Sequence, residues 1–196
     1  LFKKLTFRPN HEELMALYGA PLPTAPSELR AAVEKAVQHL LLSVGVGANG
    51  AGTVVVRCGA HGACVGTRAR GTAWIPAYWA QSSSRVADET GAGNAFLGGF
   101  VAGLKLADGN PYDAALYGSV SASFVVEQFG LPTLSAAPGP GAAAYEDMHA
   151  RVSGPPVAQN FTAARCLRAA ARREMWNGDV PQRRLELLRM RVAASA

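Results

Sequence analysis

The chain has 196 residues, 49% of them apolar and 17% charged, with a formal net charge of +5. That length and balance describe a globular domain with a real core and exclude a disordered chain. Cys58, Cys64 and Cys166 form no C-x-x-C pair, which argues against a zinc site or a disulfide framework and for a reducing, cytoplasmic setting; no apolar run is long enough to span a membrane.

Lys4-Leu5-Thr6-Phe7 alternates and runs into Arg8-Pro9-Asn10, so it reads as a strand entering a loop. A short helix follows over residues 11–18. Asn10 suits its N-cap, and Glu13, three residues on, completes a capping-box spacing. Pro21, Pro23 and Pro26 stiffen the next link. Ser27 opens a helix with Leu29, Val33, Val37, Leu40 and Leu41 on one side, ending at Gly45. Residues 45–50 match G-x-G-x-x-G, but a helix precedes them and a strand follows, the reverse of a dinucleotide fingerprint. They read as a flexible surface loop.

The β-branched run Val54–Val56, within a strand over residues 53–58, predicts a strand buried on both faces. Gly59-Ala60-His61-Gly62 makes a tight turn, and residues 63–66 start a return strand. Residues 72–78 read as an edge strand, given Pro76. A polar connection over residues 81–87 leads to Asp88-Glu89-Thr90-Gly91-Ala92-Gly93-Asn94. Phe96, Leu97, Phe100, Val101 and Leu104 then recur at helical spacing, so residues 91–94 form the first turn of a helix. The free amides and dipole there favour an anion, and glycine lets it approach the backbone. A glycine-flanked helix start with no ligand fits the same residues.

Asn110 and Pro111 open a further helix over residues 112–129, rich in small residues and stopped by Gly130. Residues 135–144 read as a linker, and helices are expected at 145–152, 162–176 and 181–192. From residue 151 onward nine arginines face three acids, Glu174, Asp179 and Glu186, which carries the positive excess. With only Phe161 and Trp176 among them and no nucleic-acid fold signature, the expectation is solvated helices and no nucleic-acid partner.

The stretch Asp88 to Asn94 resembles the second signature of the pfkB (ribokinase-like) carbohydrate kinases, an acid and two polar residues followed by Gly-Ala-Gly-Asp. The resemblance implies that Gly91, Ala92 and Gly93 form an anion hole for the transferred phosphoryl group. It places Asp88 and Thr90 beside the nucleotide. The family's general base falls on Asn94, which is a departure, as is Glu89. Asn10-His11-Glu12-Glu13 is similar to the family's Asn-x-x-Glu, which implies that Asn10 and Glu13 order Mg²⁺ through water. Gly59 and Gly62 match a family loop that borders the nucleotide.

The resemblance implies a three-layer α/β/α fold with a mostly parallel sheet. Residues 1–135 would be the nucleotide-binding part and residues 136–196 an Arg-rich helical extension. ATP and Mg²⁺ are the expected cofactors, and a sugar or nucleoside the expected acceptor. The alternative is a pseudokinase, a nucleotide-binding or scaffold protein without turnover. The family's sugar-site glycine pair and β lid have no counterpart here, and the chain opens at Leu1 within a strand-like run. That fits part of a longer protein lacking its N-terminal half. Acceptor and oligomeric state stay open.

Overall fold

The computed structural model describes residues 6–79, 83–130 and 179–194. Its strands are β1 (Thr6–Phe7), β2 (Thr53–Arg57), β3 (Ala63–Thr67) and β4 (Gly71–Ile75), paired in that spatial order. Its helices are α1 (His11–Leu17), α2 (Pro26–His39), α3 (Ala92–Leu106), α4 (Pro111–Val126) and α5 (Asp179–Ala194). The linker and helices expected between residues 135 and 176 lie outside the described residues.

Local chemistry makes the starts of α1, α2 and α4, with α2 beginning one residue ahead of the expected Ser27. The Asn10 side chain accepts from Glu13 N–H at the head of α1. Pro26 opens α2. Asn110 accepts from Tyr112 N–H ahead of Pro111 on α4. α2 buries Leu29, Val33, Ala36 and Val37 on one face and runs on as a π-helical turn, Leu40–Val44. Gly45, at φ 84°, turns the chain out of it. Arg68 donates to the Leu41 and Leu42 carbonyls at 3.0 and 3.1 Å, satisfying acceptors that the helix end leaves open. The 45–50 stretch, expected as a surface loop, is partly packed, with Ala48 and Asn49 exposed. Val46 and Gly50 are buried, and a Cβ at Gly50 would stand 2.8 Å from the Arg68 guanidinium.

The sheet is mixed. β1 and β2 pair in parallel, Thr6 against Thr53, whereas β2–β3 and β3–β4 are antiparallel. The reason is local: the links after β2 and β3 are tight turns, too short for a parallel crossover. Gly62 sits at φ 92° in the first turn, where a side chain would collide with Ile75 O.

Val54, Val55 and Val56 are fully buried because helices cover both faces. Val54, Val56 and Cys64 pack against α1 and α2. Val55, Ala63, Val65 and Ile75 pack against α3, α4 and α5. This is a three-layer α/β sandwich, as expected. α3 and α4 approach through small residues: a Cβ at Gly99 would lie 2.6 Å from both Tyr117 O and Ser121 Cβ.

α5 turns two of its arginines inward. Arg184 pairs with Glu127 at 2.7 Å and lies 4.0 Å from the Phe124 ring centroid and 4.9 Å from that of Tyr78. Arg191 donates to Tyr78 O at 2.9 Å. Leu185 and Leu188 join the core beside them.

Candidate functional site

Because β1 and β2 are parallel, the loops leaving their C-terminal ends lie side by side. In open α/β sheets ligands settle at that edge. The bridge between Asn10 and Arg57 continues the β1–β2 pairing beyond the strands. Arg57 N–H donates to Pro9 O at 3.1 Å, and His11 Nδ1 lies 3.3 Å from Arg57 O. The start of α1 and the end of β2 are thus held in one register.

At the head of α1 the capping box is complete. Asn10 Oδ1 accepts from Glu13 N–H, and Glu13 Oε2 accepts from Asn10 N–H, both at 2.7 Å. The same Glu13 oxygen stands 3.7 Å from Arg57 Nη2, an ion pair rather than a hydrogen bond. The Glu13 side chain remains 60% exposed. Its second oxygen is engaged in neither of these contacts.

Arg57 leans from β2 toward the first turn of α3. Its Nη1 lies 2.5 Å from where a Cβ on residue 93 would stand. The structure therefore brings Asn10, Glu13 and Gly93 together, with the Arg57 guanidinium between the carboxylate and the glycine. Sequence reasoning passed over Arg57. The available signal was a lone charge closing an apolar strand at the sheet's ligand edge.

Gly91 caps α3 in the left-handed region, at φ 85° and ψ −10°, with no side-chain cap bond. Ala92 N–H donates to Glu89 O at 3.1 Å, and the first bond into the helix runs from Ala95 N–H to Gly91 O at 2.9 Å. Of the expected anion-hole amides, Ala92's is thus turned into the loop. That of Gly93 and, beyond the expected set, that of Asn94 precede the first intrahelical bond. Asn94 is exposed on that same turn.

Asp88 and Thr90 fix the loop ahead of α3. Thr90 N–H donates to Asp88 Oδ1 at 2.9 Å. That amide, and then the Thr90 hydroxyl, hold the Asp88 carboxyl below its ordinary range. The N–H groups of Ala87 and Asp88 donate to Val126 O at 2.7 and 3.3 Å, tying the loop to the end of α4. Gly59 and Gly62 frame the turn directly after Arg57, with Gly59 at φ 53° and nothing within 4 Å of its Cβ position. A groove of about 480 Å³ opens beside Glu13, lined by Phe7, Arg8, Pro9, Leu17 and Leu97 among others.

The site suits Mg²⁺ in its hydrated form only. Among the described residues no cluster of three or more His, Cys, Asp or Glu could hold a bare ion. Glu13 offers a solvent-facing carboxylate, and Mg²⁺ keeps several waters when carboxylates and phosphates share it.

The sequence profile of the pfkB family carbohydrate kinases matches residues 6–137. The chain is 26% identical to ribokinase from Cryptococcus neoformans var. grubii, solved in complex with ADP. That match covers 74% of this chain and 43% of that one, with a TM-score of 0.53. Ribokinase from Thermotoga maritima is 25% identical over 64% of this chain and 36% of its own, with a TM-score of 0.45. Protein MAK32 of Saccharomyces cerevisiae is 37% identical over 82 residues, 40% of this chain and 22% of MAK32. The chain spans less than half the length of each of these relatives.

Proposed function

The chain belongs to the pfkB carbohydrate kinase family, and from that premise we propose that the full-length protein binds ATP with Mg²⁺ at this site and transfers the γ-phosphoryl group to a sugar or nucleoside hydroxyl. One observation carries the reading. The Asn10–Glu13 pair and the open first turn of α3 converge on Arg57 at the ligand edge of the sheet. The ribokinase solved with ADP supports the nucleotide.

Phosphoryl transfer rests mostly on positioning and on charge stabilisation. The amides of Gly93 and Asn94, and the positive end of α3, would receive the transferred group. Gly91, lacking a Cβ, would let it close on the backbone. Mg²⁺, when bound, neutralises charge between the phosphates, and Glu13 would orient its water shell. Asp88 and Thr90 would hold the loop that shapes the nucleotide's approach, and the Gly59–Gly62 turn would border the nucleotide.

Asn94 favours a second reading. A carboxamide does not accept a proton near neutral pH, and losing a general base costs roughly 10²–10⁴-fold in rate. A nucleotide-binding pseudokinase would keep every other feature of the site. Two measurements on the full-length protein decide. Calorimetry with ATP, with and without Mg²⁺, should give heat that grows with the metal; no heat and no melting shift at millimolar ATP would refute nucleotide binding. ADP release against a panel of sugars and nucleosides then separates a kinase from a pseudokinase.

A further inference from the structure

We propose that Arg57 is the side-chain cation that grips the terminal phosphates at this site, with Glu13 as the counter-ion that holds it when no phosphate is present. The inference rests on the reading of the site as a phosphate site.

A guanidinium taken out of water needs partners for its five donors. Arg57 is 20% exposed on its side chain, yet its partners are distant: Glu13 at 3.7 Å and Arg8 O at 3.4 Å. Its Nε is buried and has no hydrogen-bond partner. Such a group is unfinished by itself. A phosphate, with oxygens spaced to meet a planar fork at two points, completes it better than the oblique carboxylate does.

The surroundings aim the group. The Arg57 backbone is fixed through Pro9 O and His11 Nδ1, so its side chain starts from a defined point. Gly93 admits Nη1 against the first turn of α3, where any side chain would displace it. That glycine thus serves the arginine as well as the anion. Glu13 can yield Arg57 without unfolding α1, because its capping bond to Asn10 N–H is a separate contact.

The test uses the full-length protein and inorganic tripolyphosphate, which carries phosphates without a nucleoside. Titration calorimetry is run without Mg²⁺ at low salt on wild type, Arg57→Ala, Arg57→Gln and Arg57→Lys. Losing charge-assisted hydrogen bonds should weaken binding roughly tenfold to a hundredfold in the Ala and Gln variants, with partial recovery in Lys. Adenosine affinity should stay the same across all four, which a general loss of structure would not permit. Gln keeps most of the side-chain volume, so it carries the test if Ala fails to fold. Equal tripolyphosphate affinity in wild type and Arg57→Gln overturns the assignment, and so does a wild type that does not bind tripolyphosphate. Arg57-dependent tripolyphosphate binding with no binding of ATP or adenosine leaves Arg57 in place and removes the nucleotide reading. ATP binding that ignores Arg57 does the reverse.

Discussion

Glu13→Gln separates the two roles that Glu13 can play. The cap needs only an acceptor at Glu13 Oε2 for Asn10 N–H, now at 2.7 Å, and a glutamine amide oxygen supplies one, since Gln also serves in capping boxes. The ion pair to Arg57 is lost. At 3.7 Å, with 60% of the carboxylate side chain exposed, that pair contributes at most about 1 kcal/mol after solvent screening. The melting temperature should therefore fall by no more than about 2–4 °C, the shift that 1 kcal/mol produces in a domain of this size. Glu13→Ala also removes the bond from Asn10 N–H to the Glu13 carboxylate, leaving the Asn10 side-chain cap in place, and should cost up to about 1 kcal/mol more. Metal-dependent nucleotide binding should respond differently. With the carboxylate gone, Mg·ATP affinity should drop by about 10–100-fold, as for lost outer-shell partners of metals. Metal-free ATP should bind at least as well as before, because Arg57 no longer shares itself with a carboxylate. Calorimetry across a magnesium series, beside thermal melts, measures both. If Glu13→Gln keeps the wild-type magnesium dependence, Glu13 is a cap and nothing more, and the metal assignment for Asn10 and Glu13 fails.

Gly99→Ala should destabilise by about 2 kcal/mol: overpacking costs about 1–3 kcal/mol, and the gain in helix propensity is under ~1. The contacts it meets are α4's own, at Tyr117 O and Ser121 Cβ. Gly93→Ala meets only the end of the Arg57 side chain, so it should shift stability by less than about 1 kcal/mol while weakening tripolyphosphate binding; calorimetric melts giving the opposite order would refute this. Burial pushes the Cys58 and Cys64 thiols from 9.0 up to about 12, so peptide mapping after alkylation at pH 8 should find both unmodified until the protein is unfolded. The same raised values favour the folded state fully below pH 9 and lose that contribution between pH 9 and about 12, which alkaline melts would show. Asn94→Asp should raise ADP release by up to about 10²–10⁴-fold.

Much of the frame was legible because it is written in local chemistry. Asn10 and the Asn110-Pro111 pair mark helix starts by what they do to orphan amides, and Gly91 by a left-handed turn that glycine takes readily. Val54 to Val56 announce a strand covered on both faces. The short Gly59–Gly62 turn and its return strand make the antiparallel β2–β3 pairing legible, and the parallel part of the sheet is the β1–β2 pair. The burial of Gly50 within the Gly45–Gly50 stretch is not legible because its neighbour, the Arg68 guanidinium, comes later in the chain and only the fold brings it near. Arg57 escaped for the same reason. Its meaning depends on Gly93, on another element, and on a buried Nε that no spacing rule reports. The Asn10–Glu13 spacing was legible as a cap or as a metal motif. The structure shows the cap made with one carboxylate oxygen, which leaves chemistry for the other.

The charge at the site bears on why an asparagine stands at position 94. Glu13 and Arg57 offset each other, and the first turn of α3 adds roughly half a positive charge. Asp88, ionised on the loop just before that turn, adds a negative charge, so a neutral Asn94 spares a polyphosphate a second one. An aspartate there would add it while supplying the base that the amide lacks. Asn94→Asp should therefore act in two directions at once, raising kcat through proton transfer and raising KM for ATP through repulsion of its terminal phosphates. The two effects share a cause, and salt separates them. Screening shortens from about 10 Å at 0.1 M to about 3 Å at 1 M ionic strength, so added salt should narrow the KM difference and leave the kcat gain standing. A variant whose KM falls, or whose KM difference ignores salt, would mean that the terminal phosphates do not sit at the first turn of α3.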